Sequence, residues 1–203
     1  MLRFDAPEAG RYLAPIVILP GLFQSLACWR ALTGVLAHRG WEVYFLEREG
    51  GGWEQARTQA FDAVQGLEAG PILFGADVGA ALALSLCRRL GPMAMALFAP
   101  CMPTELAGRL ADSSGLRDKF GRGHEVTAPA GIPPPQDDSF GCTESSRLLA
   151  ELASVAFEPP ALHAPTIVFA ADGDPLVAAG HSLSFAQGKH AKAAASRLGG
   201  RWW

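Results

Sequence analysis

The stretch of residues 71–90 most constrains how this chain can fold. An apolar run over residues 71–74 ends in Gly75-Ala76-Asp77-Val78-Gly79, and a helical pattern of small apolar residues follows directly. This order predicts a buried strand, a sharp turn with Asp77 at its apex, and a helix. Glycine suits such a turn because it has no side chain where the helix must approach the strand closely. We therefore expect Asp77 at the carboxyl end of a strand.

The same alternation of strand and helix continues along the chain. Apolar runs predict strands at 15–19, 41–46, 93–98 and 166–170, and helical spacing predicts helices at 27–39, 53–67, 78–90, 143–156 and 182–198. The first 14 residues are expected to be a short edge strand or an arm. Such a rhythm predicts an α/β fold, with a mostly parallel sheet and helices on both faces.

The chain is long and apolar enough for a single domain with a sizeable core. It has 203 residues, of which 49% are hydrophobic and 18% charged, so we treat residues 1–203 as one domain. Residues 101–160 interrupt the alternation of strands and helices with irregular, proline-rich sequence. We predict that they form a small insertion covering the sheet. Residues 47–52 are expected to be a charged, flexible loop.

Composition excludes several classes of function. A net charge of −3 does not suit binding to nucleic acid or to an anionic membrane surface. No apolar segment approaches the ~18 residues of a membrane span, and the amino terminus does not resemble a signal peptide. The four scattered cysteines predict neither a metal site nor a disulfide framework, so we expect a cytoplasmic protein without cofactor. A small-molecule substrate is expected, and a homodimer is compatible with the sequence.

Three short motifs follow predicted strands. They are Leu19-Pro20-Gly21-Leu22, Gly75 to Gly79, and Asp172-Gly173-Asp174-Pro175-Leu176-Val177. The carboxyl ends of parallel strands meet at one edge of a sheet, and ligands bind outside that edge. We therefore expect Leu22, Asp77 and Asp174 on one rim.

In this order, the three motifs resemble the α/β-hydrolase fold over residues 15–100 and 160–177. The resemblance implies that Asp77 occupies the nucleophile position and that the backbone N–H groups of Leu22 and Val78 build an oxyanion hole. It also implies that Asp174 is the triad acid, with Asp172 as second choice, and that the insertion is a lid. Phe23 is expected to wall an apolar substrate pocket. Gln24 and Ser25 either line that pocket or belong to the loop before the next helix.

An aspartate at this position allows two interpretations. As a nucleophile, Asp77 needs no base to activate it; it would form an ester with the substrate, which a water activated by a histidine then cleaves. Haloalkane dehalogenases and epoxide hydrolases of this fold resemble that scheme. However, Val78 stands where the dehalogenases usually carry a tryptophan, and the insertion has no pair of tyrosines such as the epoxide hydrolases use. Alternatively, Asp77 is an unreactive cap at the start of its helix.

The histidine of the family pattern has no obvious equivalent. The family places it after a further helix and strand beyond the acid, whereas the periodicity predicts that this chain ends near the start of that strand. His181, seven residues after Asp174, is the nearest candidate and is expected early in the final helix; the others are His38, His124, His163 and His190. Three explanations stay open: a histidine of the insertion or last helix substitutes, the family's final strand and histidine loop are missing, or there is no base.

Two functions are consistent with these features. The first is a hydrolase acting on a small apolar ester or related electrophile, with Asp77, Asp174 and His181 catalytic and Leu22, Phe23 and Val78 binding the substrate. The second is a non-catalytic protein of the same fold that binds a ligand or a partner chain. The histidine distinguishes them, because hydrolysis requires a base and binding does not.

Overall fold

A computed structural model of the chain describes residues 1–6, 12–114, 125–128, 143–172, 174, 176–189 and 191–196. The strands within these residues are β1 (Leu2–Phe4), β2 (Ile16–Leu19), β3 (Val43–Phe45), β4 (Ile72–Ala76), β5 (Ala94–Phe98), β6 (Glu125–Thr127), β7 (Thr143–Ser145), β8 (Thr166–Ala171) and β9 (Lys192–Ser196). The helices are α1 (Leu26–His38), α2 (Trp53–Gln65), α3 (Val78–Leu90), α4 (Pro103–Ser114), α5 (Ser146–Leu152) and α6 (Ala179–Gly188).

Seven strands form one sheet in the order β1-β3-β2-β4-β5-β8-β9. The edge strand β1 runs antiparallel to β3, and every other neighbouring pair is parallel. The remaining two strands, β6 and β7, pair with each other in an antiparallel hairpin. The predicted α/β fold with a mostly parallel sheet is confirmed, and the carboxyl ends of β2, β4, β5 and β8 lie along one edge.

Helices cover both faces of the sheet, as the continuous apolar strands predict. Successive residues of β2 point to opposite faces: Val17 and Leu19 join a large apolar cluster with residues of α2 and α3. Ile16 and Ile18 join a second cluster with Trp29 of α1. All four residues of β2 are at most 2% exposed, so this strand is buried on both faces.

A strand, β9, lies at residues 192–196, which corrects the prediction of a helix over 182–198 and counts against one of the three open explanations, a missing final strand. Helix α6 ends at Gly188, and β9 pairs in parallel with β8 from Lys192 opposite Ile167 to Ser196 opposite Ala171. The alanines at 193–195 favour a helix locally. Hydrogen bonding along the open edge of β8 outweighs that preference. The predicted start of a strand at residues 201–203 lies outside the described residues.

Helix α5, which lies in the predicted insertion, contacts α2. The helix predicted over 143–156 is shorter, because residues 143–145 belong to β7 and the Ser145 side chain caps α5 by accepting the Leu148 N–H. From α5, the Glu151 carboxylate accepts the Trp53 N–H at 2.7 Å and so caps α2. Much of the predicted insertion lies outside the described residues, and its role as a lid stays a prediction.

None of the helices in the described ranges combines the length and apolar character needed to cross a bilayer.

Candidate active site

Asp77 lies at the turn between β4 and α3 in a strained backbone conformation. Its φ is 35° and its ψ is −103°, a region that residues with a side chain rarely adopt. The neighbouring glycines permit this turn. A Cβ on Gly75 would lie 2.5 Å from the Gly79 carbonyl oxygen, and one on Gly79 would lie 2.0 Å from the Leu19 carbonyl oxygen. Side chains at either position would separate α3 from the sheet.

Backbone strain is concentrated around Asp77. Among the described residues other than glycine, only Phe23, Asp77 and Ala99 have positive φ, at 60°, 35° and 47°. Each follows the carboxyl end of a different strand, β2, β4 or β5. Such conformations cost on the order of 1–3 kcal/mol each and cluster at functional sites. Their position therefore marks this edge of the sheet as the candidate site.

One oxygen of the Asp77 carboxylate lies where the expected oxyanion hole would bind an oxygen of the substrate. Its Oδ1 accepts the Leu22 N–H at 2.8 Å and also the Val78 N–H. These are the two N–H groups that the resemblance assigns to the hole. Oδ2 faces Gly21, where a Cβ would lie only 2.2 Å away, so a glycine at 21 is needed to make room for the carboxylate.

Burial dominates the electrostatics of this carboxylate. Asp77 is 4% exposed, and loss of hydration raises its pKa from 3.8 to about 7. The N–H groups of Val78 and Leu22 and the charge of Arg48 favour the ionised form, but they only partly offset the burial, and the charge of Asp174 raises the pKa further. Near neutral pH, the protonated and ionised forms of Asp77 are therefore both populated.

Arg48 holds the loop that carries Leu22. Its guanidinium donates to the Pro20 carbonyl oxygen and, at 2.9 Å, to the Gly21 carbonyl oxygen. It also pairs with Glu144 of β7, and both side chains are only 8% exposed. This role is not predictable from the sequence: residues 47–52 have the composition of a flexible charged loop, and no local pattern distinguishes a buried arginine from a solvated one.

A small cavity of about 10 Å³ lies beside Asp77. Asp77, Asp174, Gln24, Trp29 and Phe98 are among the residues that line it. Asp174 is held there because its Oδ1 accepts the N–H groups of Leu176 and Val177 at 2.8 and 2.9 Å. The fold thus brings Asp77 and Asp174 to one cavity. This volume is close to the smallest that holds a water molecule.

Gln24 is the most unusual polar group of the cavity. Its Oε1 accepts the Gly21 N–H at 2.8 Å and the Trp29 Nε1–H at 2.9 Å. Its Nε2 is buried and has no hydrogen-bond partner among the described residues. An unpaired buried donor is costly, so this amide marks a place where an acceptor is expected.

Several solved structures of known proteins have the same fold as this chain. No protein-family model and no curated protein matches the chain. Solved structures are similar to it, among them a monoacylglycerol lipase of Paleococcus ferrophilus with a TM-score of 0.65, 16% identity, and 96% of this chain and 88% of that chain covered. A soluble variant of the monoglyceride lipase of Saccharomyces cerevisiae has a TM-score of 0.66 and 11% identity, covering 96% and 82%. A thioesterase of the prodiginine biosynthetic pathway of Streptomyces coelicolor has a TM-score of 0.63 and 18% identity, covering 97% and 85%.

The chain has the α/β-hydrolase fold. The resemblance implies a histidine after a further helix and strand beyond Asp174, and α6 and β9 follow Asp174 in that order. The residues after β9, 197–203, contain no histidine in this sequence and lie outside the described residues.

His181 is hydrogen-bonded to side chains of α4. It lies in the first turn of α6, where its Nδ1 is 2.6 Å from the Glu105 Oε1 and its Nε2 is 2.5 Å from the Arg109 guanidinium. Since arginine can only donate, Nε2 accepts and Nδ1–H donates to Glu105. Both ring nitrogens of His181 are therefore bonded to α4.

The other histidines that the structure describes, His38 and His163, do not pair with Asp77 or Asp174 either. His38 ends α1 and His163 precedes β8, whereas His124 and His190 lie outside the described residues. Within the described chain, no histidine is hydrogen-bonded to Asp77 or Asp174. Nor do three His, Cys, Asp or Glu side chains of that part come together as metal ligands would.

Two larger depressions lie away from the elbow. One, of about 760 Å³, opens beside the amino ends of β5 and β8, and the other, of about 930 Å³, lies between α2, α3 and Phe157. Neither includes Asp77 or Asp174, so their size carries no argument for the chemistry at the elbow.

Proposed function

We propose that this protein is a hydrolase of the α/β-hydrolase type, whose Asp77 attacks a tetrahedral carbon of a small apolar electrophile such as an alkyl halide or an epoxide. One observation carries the proposal: both candidate oxyanion-hole donors bind Asp77 Oδ1. This arrangement leaves Oδ2 as the oxygen available for attack. The similarity to lipases, esterases and a thioesterase supports the fold on which the proposal rests.

A carboxylic ester fits this geometry less well than an alkyl electrophile. Attack on an ester carbonyl places negative charge on the substrate's own oxygen, which needs the donors of the oxyanion hole. Here the N–H groups of Leu22 and Val78 already bind Asp77. Attack on a tetrahedral carbon does not require these donors for an oxygen of the substrate. The proposal therefore narrows the sequence-based expectation of an ester or related electrophile.

The proposed first step forms an ester on Asp77. Its Oδ2 forms a bond to the substrate carbon while the bond to the leaving group breaks, and the leaving group departs with the bonding electron pair. Oδ1 becomes the carbonyl oxygen of the new ester. When water then attacks the Asp77 Cγ, the charge develops on Oδ1, where the N–H groups of Leu22 and Val78 stabilise it.

A non-catalytic role is the second candidate. Two observations favour it: both ring nitrogens of His181 are engaged by α4, and the cavity beside Asp77 has a volume of only about 10 Å³. In that case the elbow preserves the fold, and Asp77 serves as the cap that its bond with the Val78 N–H allows.

Mass spectrometry of the intact protein tests the proposal. The protein is incubated with a small alkyl bromide, an epoxide and an activated ester, and any adduct is located by peptide mapping. We expect the alkyl electrophiles to modify Asp77. Asp77→Asn is the matched control, because its amide oxygen can accept the same two N–H groups while it lacks the reactive carboxylate. If no reagent yields an adduct or turnover, and Asp77→Asn behaves like the parent, the non-catalytic candidate stands instead.

A further inference from the structure

We propose that the cavity between Gln24, Asp77 and Asp174 is the site of the hydrolytic water, and that Asp174 accepts its proton directly. This inference rests on the proposed function, because it concerns cleavage of the ester on Asp77. It assigns to Asp174 a role different from the orientation of a histidine that the resemblance implies.

The orientation of the Gln24 amide is decided by its neighbours. The Gly21 N–H and the Trp29 Nε1–H can only donate, so the atom that they both contact must be the amide oxygen. A flipped amide would place Nε2 against two donors. Nε2 is therefore the atom without a partner, in a residue that is 9% exposed and lines the cavity.

The polar groups of the cavity match the needs of one water molecule. A buried water typically makes two to four hydrogen bonds and requires on the order of 10–15 Å³. The cavity has a volume of about 10 Å³ and offers one unpaired donor, Gln24 Nε2, and the carboxylates of Asp77 and Asp174 as acceptors. A water there would accept from Gln24 and donate to the carboxylates, which also satisfies the buried amide.

Asp174 has a free oxygen for this role. Its Oδ1 accepts the N–H groups of Leu176 and Val177, whereas its Oδ2 has no hydrogen bond within the described residues. In the proposed step, the water oxygen bonds to the Asp77 Cγ and its proton moves to Asp174 Oδ2. The Cγ–Oδ2 bond of Asp77 then breaks, and the alcohol leaves with that oxygen and with the proton from Asp174.

This chemistry predicts slow cleavage. A carboxylate is a weaker base than the imidazole it replaces, and general-base catalysis weakens as the base becomes more acidic than the operating pH. The ester on Asp77 should therefore persist long enough to be isolated from excess reagent. Its decay can then be followed without interference from its formation.

The decisive variant is Asp174→Asn. The amide oxygen of Asn can accept the same two N–H groups and so preserve the turn, whereas the basic oxygen is lost. We expect the ester on Asp77 to form in this variant but to decay at least about a hundredfold more slowly. Gln24→Met removes the donor to the water and should also slow the decay. Asp62→Asn changes an exposed carboxylate on α2 and is the matched control.

The experiment follows the ester by intact mass after the reagent is removed, in water enriched in heavy oxygen. One turnover of the parent should leave one heavy oxygen in the Asp77 carboxylate, because water attacks Cγ. Equal decay in Asp174→Asn and the parent would overturn this inference and leave the proposed function standing, as would slower decay only in His181→Asn. No ester in either protein would refute the proposed function and the inference with it.

Discussion

Replacing Asp77 with asparagine should stabilise the protein, and the gain should grow with pH. Asparagine keeps the oxygen that accepts the Leu22 and Val78 N–H groups but cannot become charged. Burial raises the pKa of Asp77 from 3.8 to about 7 in the folded protein. Between these values, the folded parent holds a proton that the unfolded chain has lost. Its stability therefore falls as the pH rises through this window.

The size of the effect follows from the same two values. Linkage makes each pH unit worth about 1.4 kcal/mol, so the window from 3.8 to about 7 corresponds to about 4 kcal/mol. The difference between Asp77→Asn and the parent should be nearly constant below pH 4, rise through the window and level off above about 7. Four kcal/mol is a large part of the stability of an ordinary domain.

Urea unfolding at a series of pH values from 4 to 8.5 measures this difference. All other carboxylates are common to the two proteins, so the contributions of those that do not interact with Asp77 cancel, and only the Asp174 interaction changes with it. Asp62→Asn on the exposed face of α2 is the control, because that carboxylate is in water in both the folded and the unfolded chain. A difference that does not change with pH, or a parent that becomes the more stable protein at pH 8, would refute the account of Asp77 as a desolvated carboxylate.

Three further predictions follow from the same region. Because only the ionised carboxylate attacks carbon, the rate at which alkyl electrophiles modify Asp77 should rise with pH and level off above about 7. Gly79→Ala should lower the free energy of unfolding by at least about 1–3 kcal/mol, because its Cβ would lie 2.0 Å from a backbone oxygen of β2. By contrast, a Cβ at Gly34 in α1 would have no atom within 4 Å, so Gly34→Ala should stabilise the protein by about 1 kcal/mol. Glu144→Gln leaves the buried Arg48 charge without its partner and should cost about 3–5 kcal/mol in urea unfolding, whereas replacing both residues with apolar ones should cost less.

The parts of the fold that could be predicted depend on local pattern. The continuous apolar runs at 15–19 and 71–74 lie in strands because they pack on both faces of a parallel sheet. The glycines at 75 and 79 are needed because the backbone of α3 packs so closely against β4 and β2 that no Cβ fits at either position. Both requirements concern residues close in the chain or the burial of a whole element, and both can be recognised in the sequence.

The segment 192–196 shows where local pattern fails. Its alanines favour a helix, but the open edge of β8 offers a complete set of backbone hydrogen-bond partners. Residues 143–145 likewise pair with 125–127 instead of extending a helix. Both segments are strands because each pairs with another strand. Those partners are distant in the chain, so a short stretch of sequence cannot reveal them.

By itself, the sequence determined the α/β fold and the position of Asp77 at a strand end, because periodicity and turn glycines carry that information. Only the tertiary structure decided the chemistry available to Asp77. It placed Asp77 Oδ1 on the Leu22 N–H, 55 residues away, joined Arg48 to Glu144, 96 residues away, and bonded His181 to α4. These partnerships depend on where distant loops meet at the edge of the sheet. The protonation state of Asp77, its unbonded Oδ2 and its proximity to Asp174 thus depend on contacts that only folding creates.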